Sequence, residues 1–122
     1  MKSKIKDFVH KNNIDRMHIH DIQIAKAAVA ICKKYNLKYT LDLHENRHEI
    51  MKSYKHVNSF LGKLLISVKR WKKAEEKYVS KAEKVIVVTN QAKKEITERC
   101  KISNDNVVVY PNTVRKSFYQ NK

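Results

Sequence analysis

Glycine and proline are almost missing from this chain of 122 residues, in which Gly62 and Pro111 are the single examples of each. A dinucleotide-binding turn or a phosphate-binding loop needs several glycines, because the backbone must approach phosphate closely. The composition therefore excludes both motifs, together with collagen-like repeats and glycine-rich linkers. Cysteine is also scarce. Cys32 and Cys100 lie far apart and form no C-x-x-C pair, which predicts two packed, reduced thiols in a cytosolic protein.

Long hydrophobic runs and acidic residues are lacking too. The longest apolar stretch, residues 60–68, is interrupted by Lys63 and is too short to cross a bilayer. The first residues contain several lysines and no apolar core, so no secretory signal is expected. There are 12 acidic against 27 basic side chains, a formal net charge of +15. This balance favours anionic partners, and we expect a soluble or peripheral protein.

Short segments rich in β-branched residues alternate with segments of helical periodicity. The predicted strands are residues 17–20, 39–43, 85–88 and 107–110. The predicted helices are residues 22–35, about 59–82 and about 91–100. Such alternation is typical of a parallel sheet. We therefore predict one α/β domain over residues 1–122, with about four parallel strands, flanking helices, and its last two strands covered on both faces.

For a few residues at the ends of the predicted helices or within them, the sequence predicts a structural role. Asp21 is predicted to cap the first helix, and Thr89 or Asn90 the third. Glu75 falls on the apolar stripe of the long helix. Either it is buried and accepts hydrogen bonds from a neighbouring loop, which we favour, or the helix is rotated and Glu75 lies at its edge.

Polar residues follow each predicted strand, where a parallel sheet normally gathers its functional side chains. They are His20-Asp21, His44-Glu45, Thr89-Asn90 and Pro111-Asn112. A histidine such as His44 can act as acid, base or hydrogen-bond donor near neutral pH. The alternative is a loop histidine paired with Glu45.

Two histidine patterns raise the question of metal binding. Residues 44–48 read H-E-x-x-H, the spacing that zinc hydrolases place on a helix. Here the motif directly follows a strand, and no third ligand follows at a characteristic spacing. His18 and His20 share one side of a strand, which we interpret as one packed and one rim histidine. No metal site is predicted, and a zinc hydrolase is the least favoured function.

The long helix carries a basic cluster formed by Lys69, Arg70, Lys72 and Lys73. These side chains form either a solvated outer face, which we favour, or a surface for anionic lipid headgroups. No nucleic-acid partner is predicted, because the chain contains no recognised module and its aromatic residues form no stacking platform.

In order and spacing, the motifs of this chain resemble the retaining glycosyltransferases of family 4, which have the GT-B fold of two Rossmann-like domains. The resemblance rests on residues 15–21, 41–46, 82–89 and 107–112, together with Trp71 and Glu75. It covers the later part of the acceptor-side domain. The family's Gly-rich first loop and its nucleotide-sugar-binding domain are not matched, and Thr113 and Arg115 stand where the family often has Gly and Asp.

The resemblance implies a sugar transfer from a nucleotide-sugar donor to a glycan or lipid-linked acceptor in cell-surface polysaccharide synthesis. It implies a catalytic role for His44 and substrate binding by His20, Asp21, Glu45 and Asn112. We expect a fragment that is inactive alone, needs no cofactor, self-associates, and works in the cytoplasm or at the inner membrane face. The alternative is a basic α/β module that docks on a membrane or a protein partner.

Overall fold

The computed structural model describes residues 2–44 and 67–112. Their regular elements follow one another as α1 (Lys2–Lys11), β1 (Arg16–His20), α2 (Ile22–Tyr35), β2 (Lys38–Leu43), α3 (Val68–Val79), β3 (Lys84–Val87), α4 (Asn90–Cys100), a 3₁₀ turn (Asn104–Asn106) and β4 (Val107–Val109). Within these residues, no helix is both long and apolar enough to span a membrane.

The four strands form one parallel sheet in the order β1-β2-β3-β4. The register places Ile19, Leu41, Val85 and Val107 side by side across all four strands. Each of these side chains is at most 2% exposed. This row is the centre of the core, and the predicted α/β fold with flanking helices is confirmed.

The helices α2, α3 and α4 all contribute to the core on this face of the sheet. Their buried contacts come from Ala25, Ala28 and Cys32 of α2, Val79 of α3 and Ile96 of α4. The small alanines allow α2 to approach the strands closely. Burial of this apolar surface, at about 25 cal/mol per Å², is the main force that holds helices to sheet.

The opposite face of the sheet is polar at β1 and β2 and only partly covered at β4. Val108 points to this side and is 47% exposed, so the prediction that the fourth strand is covered on both faces is wrong for the described residues. The reason is that consecutive strands lie side by side, with their described helices packed on a common face. Self-association stays a prediction.

The predicted helices are confirmed where the structure describes them. The helix at residues 22–35 has the predicted bounds, and α4 starts one residue earlier than predicted. The beginning of the predicted long helix lies outside the described residues. Helix α1 was not predicted, although Ile5, Phe8 and Val9 have the i, i+3, i+4 spacing of a helix. Of these three side chains, Val9 alone is buried.

The predicted caps differ in outcome. Thr89 caps α4, since its hydroxyl accepts a hydrogen bond from the Ala92 amide at 3.0 Å. Asp21 occupies the cap position of α2, but its side chain makes no capping hydrogen bond. Its φ of 68° is outside the extended conformation that a capping residue usually adopts, so the predicted Asp21 cap is wrong.

The thiols are free, as predicted. Cys32 is buried and Cys100 half-buried, and burial raises the pKa of both thiols. Tyr39 lies in the same core. Its hydroxyl donates a hydrogen bond to the Tyr78 carbonyl at 2.6 Å, and burial, with smaller contributions from Cys32 and Tyr78, raises its pKa to about 12.

The shortage of glycine has a structural consequence at the turns. Helices α2 and α4 end in left-handed residues, Asn36 with φ 53° and Lys101 with φ 53°. Glycine is the usual residue at such ends, and asparagine is tolerated because its short side chain can hydrogen-bond locally. Lysine lacks that compensation, so Lys101 is a position of backbone strain.

We predict that Lys101→Gly stabilises the fold by roughly 0.5–1 kcal/mol, because glycine removes the Cβ clash at positive φ. Chemical denaturation monitored by circular dichroism measures this change. The matched control is Lys94→Gly, an exposed position inside the same helix, which should destabilise by about 1 kcal/mol. Equal destabilisation by both substitutions would contradict the assignment of strain to Lys101.

Candidate functional site

A buried carboxylate at the carboxyl end of β2 gathers three histidines. Asp42 is 7% exposed. Its Oδ2 lies 3.1 Å from His18 Nε2 and 3.4 Å from His20 Nδ1, and its Oδ1 lies 2.9 Å from His44 Nδ1. A buried carboxylate requires such partners, because loss of its water shell is costly.

The strands bring these residues together through their period of two and their parallel register. His18 and His20 alternate with buried Ile19 on β1, and His20 pairs with Asp42 across the sheet. The contact continues past the strand end, where the Asp21 amide donates to the Asp42 carbonyl at 2.9 Å. The β1–β2 pairing thus fixes the position of the carboxylate relative to both imidazoles.

His44 is the first residue after β2 and occupies the boundary between this cluster and a cavity. Its ring centroid lies 4.4 Å from that of His20, with the two planes tilted by 53°. Its Nδ1 and the Asp42 Oδ1 are close but not aligned for a hydrogen bond. Catalytic hydrogen bonds often align only when a substrate is bound.

The cavity beside His44 has a volume of about 260 Å³. Its apolar wall comes from the ends of β2 and β3 and from α4, and includes Leu43, Val87 and Ile96. Its polar side chains are His44, Thr89, Gln91, Glu75, Glu95 and Arg99. The cavity therefore lies at the carboxyl edge of the sheet, where open α/β sheets bind ligands.

Arg99 of α4 lines one side of this cavity. It pairs with acidic side chains of α3 and α4. It pairs closely with Glu75, lies 3.3 Å from Glu76, and reaches Glu95 at 4.0 Å. Burial alone would lower the pKa of the Arg99 guanidinium, but the hydrogen bond and charge of Glu75 raise it overall. Arg99 is thus held in its charged form.

The prediction that Glu75 is buried is confirmed. Glu75 is 4% exposed, as its place on the apolar stripe implies. Arg99 of helix α4 is a guanidinium partner that the sequence did not indicate, and the predicted hydrogen bonds from a loop stay a prediction. The sequence hides this pairing, because Arg99 also has the i,i+4 spacing to Glu95 that is typical of an exposed helical pair.

The structure brings some of the predicted site residues together and leaves others apart. His20 and His44 lie in contact, with half-buried Asp21 following His20. Asn112 is exposed and does not line the cavity. Glu45 and the second histidine of the H-E-x-x-H motif lie outside the described residues. His18 and His20 are both exposed, so the expectation that one of them packs in the core is wrong.

Sequence reasoning missed the two residues that organise the site, Asp42 and Arg99. The signal for Asp42 is present in the pattern of β2, where it separates two buried leucines and so must face the side opposite the core. Its meeting with His18 and His20 depends on the strand register, which the pattern does not give.

Comparison with known protein families matches residues 1–118 to Glycosyltransferase Family 4. The chain belongs to glycosyltransferase family 4. This membership supports a glycosyltransferase-like function and agrees with the Rossmann-like parallel sheet. A comparison with curated proteins finds no significant match. In this family 4 chain, the histidine cluster and the cavity therefore stand as the candidate site of a transferase.

We predict that Arg99→Met destabilises this glycosyltransferase family 4 chain by about 3 kcal/mol, since it removes the guanidinium from a buried carboxylate. Thermal and urea denaturation measure the loss. The double variant Arg99→Met/Glu75→Gln should recover part of it, because the buried charge is then absent as well.

The matched control is Arg16→Met. Arg16 pairs with Glu83 at 2.6 Å on the surface, where solvent screening makes ion pairs weak. This substitution should change stability far less than Arg99→Met. Similar losses from both variants would contradict the importance assigned to the buried pair.

Proposed function

We propose that this chain forms the acceptor side of a retaining glycosyltransferase. The transferase moves a sugar from a nucleotide-sugar donor to a glycan or lipid-linked acceptor in cell-surface polysaccharide synthesis. The observation that carries the proposal is the position of His44, which lies beside buried Asp42 and opens onto the cavity at the carboxyl edge of the sheet.

The chemistry of this arrangement suits a hydroxyl-bearing ligand. Since Nδ1 of His44 faces the Asp42 carboxylate, we assign its Nε2 atom to ligand binding. A carboxylate beside one ring nitrogen orients an imidazole and fixes the nitrogen that carries the proton. His44 then polarises or orients a sugar hydroxyl, and the polar groups of Thr89 and Gln91 in the same cavity offer further hydrogen bonds.

The leaving diphosphate needs electrostatic stabilisation of its own, which is usually a large part of such catalysis. Among the polar cavity side chains of the described residues, the cation is Arg99, and it is paired with carboxylates. A cation that is already paired in this way is poorly suited to binding a diphosphate. We therefore assign donor binding to residues beyond this cavity, and we expect no sugar transfer by the chain alone.

Binding of an acceptor analogue tests the role of His44. We predict that octyl β-glucoside, below its micelle concentration, binds saturably and shifts amide NMR signals of the cavity residues. His44→Ala should weaken binding about tenfold, as expected for loss of one hydrogen bond to a ligand. The control His10→Ala removes an exposed imidazole of α1 and should leave binding unchanged.

Two results would overturn the proposal. The first is equal affinity of the wild-type chain and His44→Ala for octyl β-glucoside. The second is the absence of saturable binding for the octyl glycosides of glucose, galactose and N-acetylglucosamine alike. Sugar transfer from radiolabelled UDP-glucose by the chain alone would contradict the assignment of donor binding elsewhere.

The basic cluster of α3 supports the proposal that the protein binds the inner face of the membrane. Lys69, Arg70, Lys72 and Lys73 are all exposed, while Trp71 between them packs against the core. The helix therefore keeps its apolar side in the protein and presents a cationic face. Anionic headgroups attract such residues by about 1 kcal/mol per basic side chain.

We predict that charge reversal of all four residues to Glu weakens binding to phosphatidylglycerol-containing vesicles at least tenfold, because the attraction becomes repulsion. Cosedimentation at low salt measures this change. The matched control reverses four other exposed lysines, Lys4, Lys6, Lys11 and Lys26, with the same change in net charge. Equal weakening by both sets would assign the effect to net charge and contradict a specific membrane face.

A further inference from the structure

The cluster of His18, His20 and Asp42 has the composition of a metal site. Each residue offers one ligand atom, and these three atoms all lie within 4.8 Å of one another. Asp42 is buried, whereas the two imidazoles are exposed and accessible from solvent. The cluster lies on the sheet face opposite the helix-packed core, so an ion can reach it without disturbing that core.

The separations within the cluster match those around a tetrahedral ion. Two ligand atoms bound at about 2.1 Å in tetrahedral geometry lie about 3.4 Å apart. The Asp42 Oδ2 lies 3.1 Å from His18 Nε2 and 3.4 Å from His20 Nδ1. Both distances agree with that spacing. The distance between the two imidazole nitrogens is at most 4.8 Å, and ion binding requires the exposed imidazoles to rotate until it approaches the same spacing.

The backbone already holds the cluster in place. His20 and Asp42 are register partners on neighbouring strands, and His18 stands two residues earlier on the same face. Ligands on rigid strands need little ordering when an ion binds, so a smaller entropic cost opposes binding. This arrangement differs from two histidines that meet by chance on a mobile surface.

We propose that His18, His20 and Asp42 bind a divalent transition-metal ion, with zinc as the ion that two imidazoles and one carboxylate suit best. This proposal departs from the sequence-based prediction of no metal site. The site is distinct from the H-E-x-x-H motif, because its ligands include neither of the motif's histidines, His44 and His48.

The remaining oxygen of Asp42 links this site to His44. Oδ2 faces the two ligand histidines, and Oδ1 lies 2.9 Å from His44 Nδ1. In the described residues, Oδ1 and His44 Nδ1 are both buried without an aligned hydrogen bond. An ion on Oδ2 therefore leaves Oδ1 in place beside His44, and Asp42 becomes a bridge between the ion and that imidazole.

Titration calorimetry of the purified chain with zinc sulfate tests the proposal. We expect one equivalent of zinc to bind to the wild-type chain. His18→Gln and His20→Gln should each weaken binding at least about 100-fold, since loss of a direct ligand exceeds the 10–100-fold effect of losing an outer partner. Cobalt(II) provides a second readout through its visible absorption when it is bound tetrahedrally.

The controls separate this site from other histidines. His10→Gln removes an exposed imidazole on α1, and the double variant His48→Gln/His56→Gln removes histidines outside the described residues. Both should bind zinc like the wild-type chain. Retained binding in His18→Gln and His20→Gln, with loss in the double variant, would place the ion elsewhere and overturn the proposal.

A folding control keeps the test interpretable. Without metal, His18→Gln and His20→Gln should melt close to the wild-type temperature, because both positions are exposed and the glutamine amide can still donate a hydrogen bond to Asp42. With excess zinc, the wild-type melting temperature should rise through binding to the native state, and that of the two variants should not. Absence of stoichiometric binding by the wild-type chain would show that Asp42 serves the histidines only as a hydrogen-bond acceptor, and would overturn the proposal.

Discussion

The parallel register of β1 and β2 is the constraint on which the rest of the structure depends. It aligns Ile19 with Leu41 on the core face and His20 with Asp42 on the opposite face. Because side chains alternate along a strand, the same backbone hydrogen bonds fix both alignments. A shift of one residue would place a carboxylate in the apolar core and expose its leucine neighbours. The stability of the core therefore enforces the geometry of the site.

Much of the fold follows from local patterns. The runs of branched residues and the stripe of α2 correspond to elements close to their predicted bounds, because burial of one face dominates those segments. The pattern fails at Val108, where the sequence is continuously apolar but one side is exposed. A strand's own residues do not report whether the neighbouring helices lie on one face of the sheet or on both.

The candidate site was predictable only in part, for a related reason. The place of His20 and His44 follows from the rule that parallel strands gather their ends. Asp42 and Arg99 also have partners far away in the chain, His20 and Glu75, which a local pattern does not identify. Asp42 meets His20 through strand register, and Arg99 meets Glu75 through packing of α4 on α3. Both are charges whose burial only tertiary contacts make tolerable.

Asp42 and Arg99 have different charged surroundings at the carboxyl edge of the sheet. Arg99 is surrounded by Glu75, Glu76 and Glu95, so its charge is neutralised within the protein. Asp42 has imidazoles as its described partners, and imidazole nitrogens can also bind a metal ion or a ligand. The partners of Asp42 can therefore rearrange around a bound ion or ligand, whereas Arg99 stays paired with carboxylates. His44 lies between the two regions, and it is the residue through which a change at Asp42 would reach the cavity.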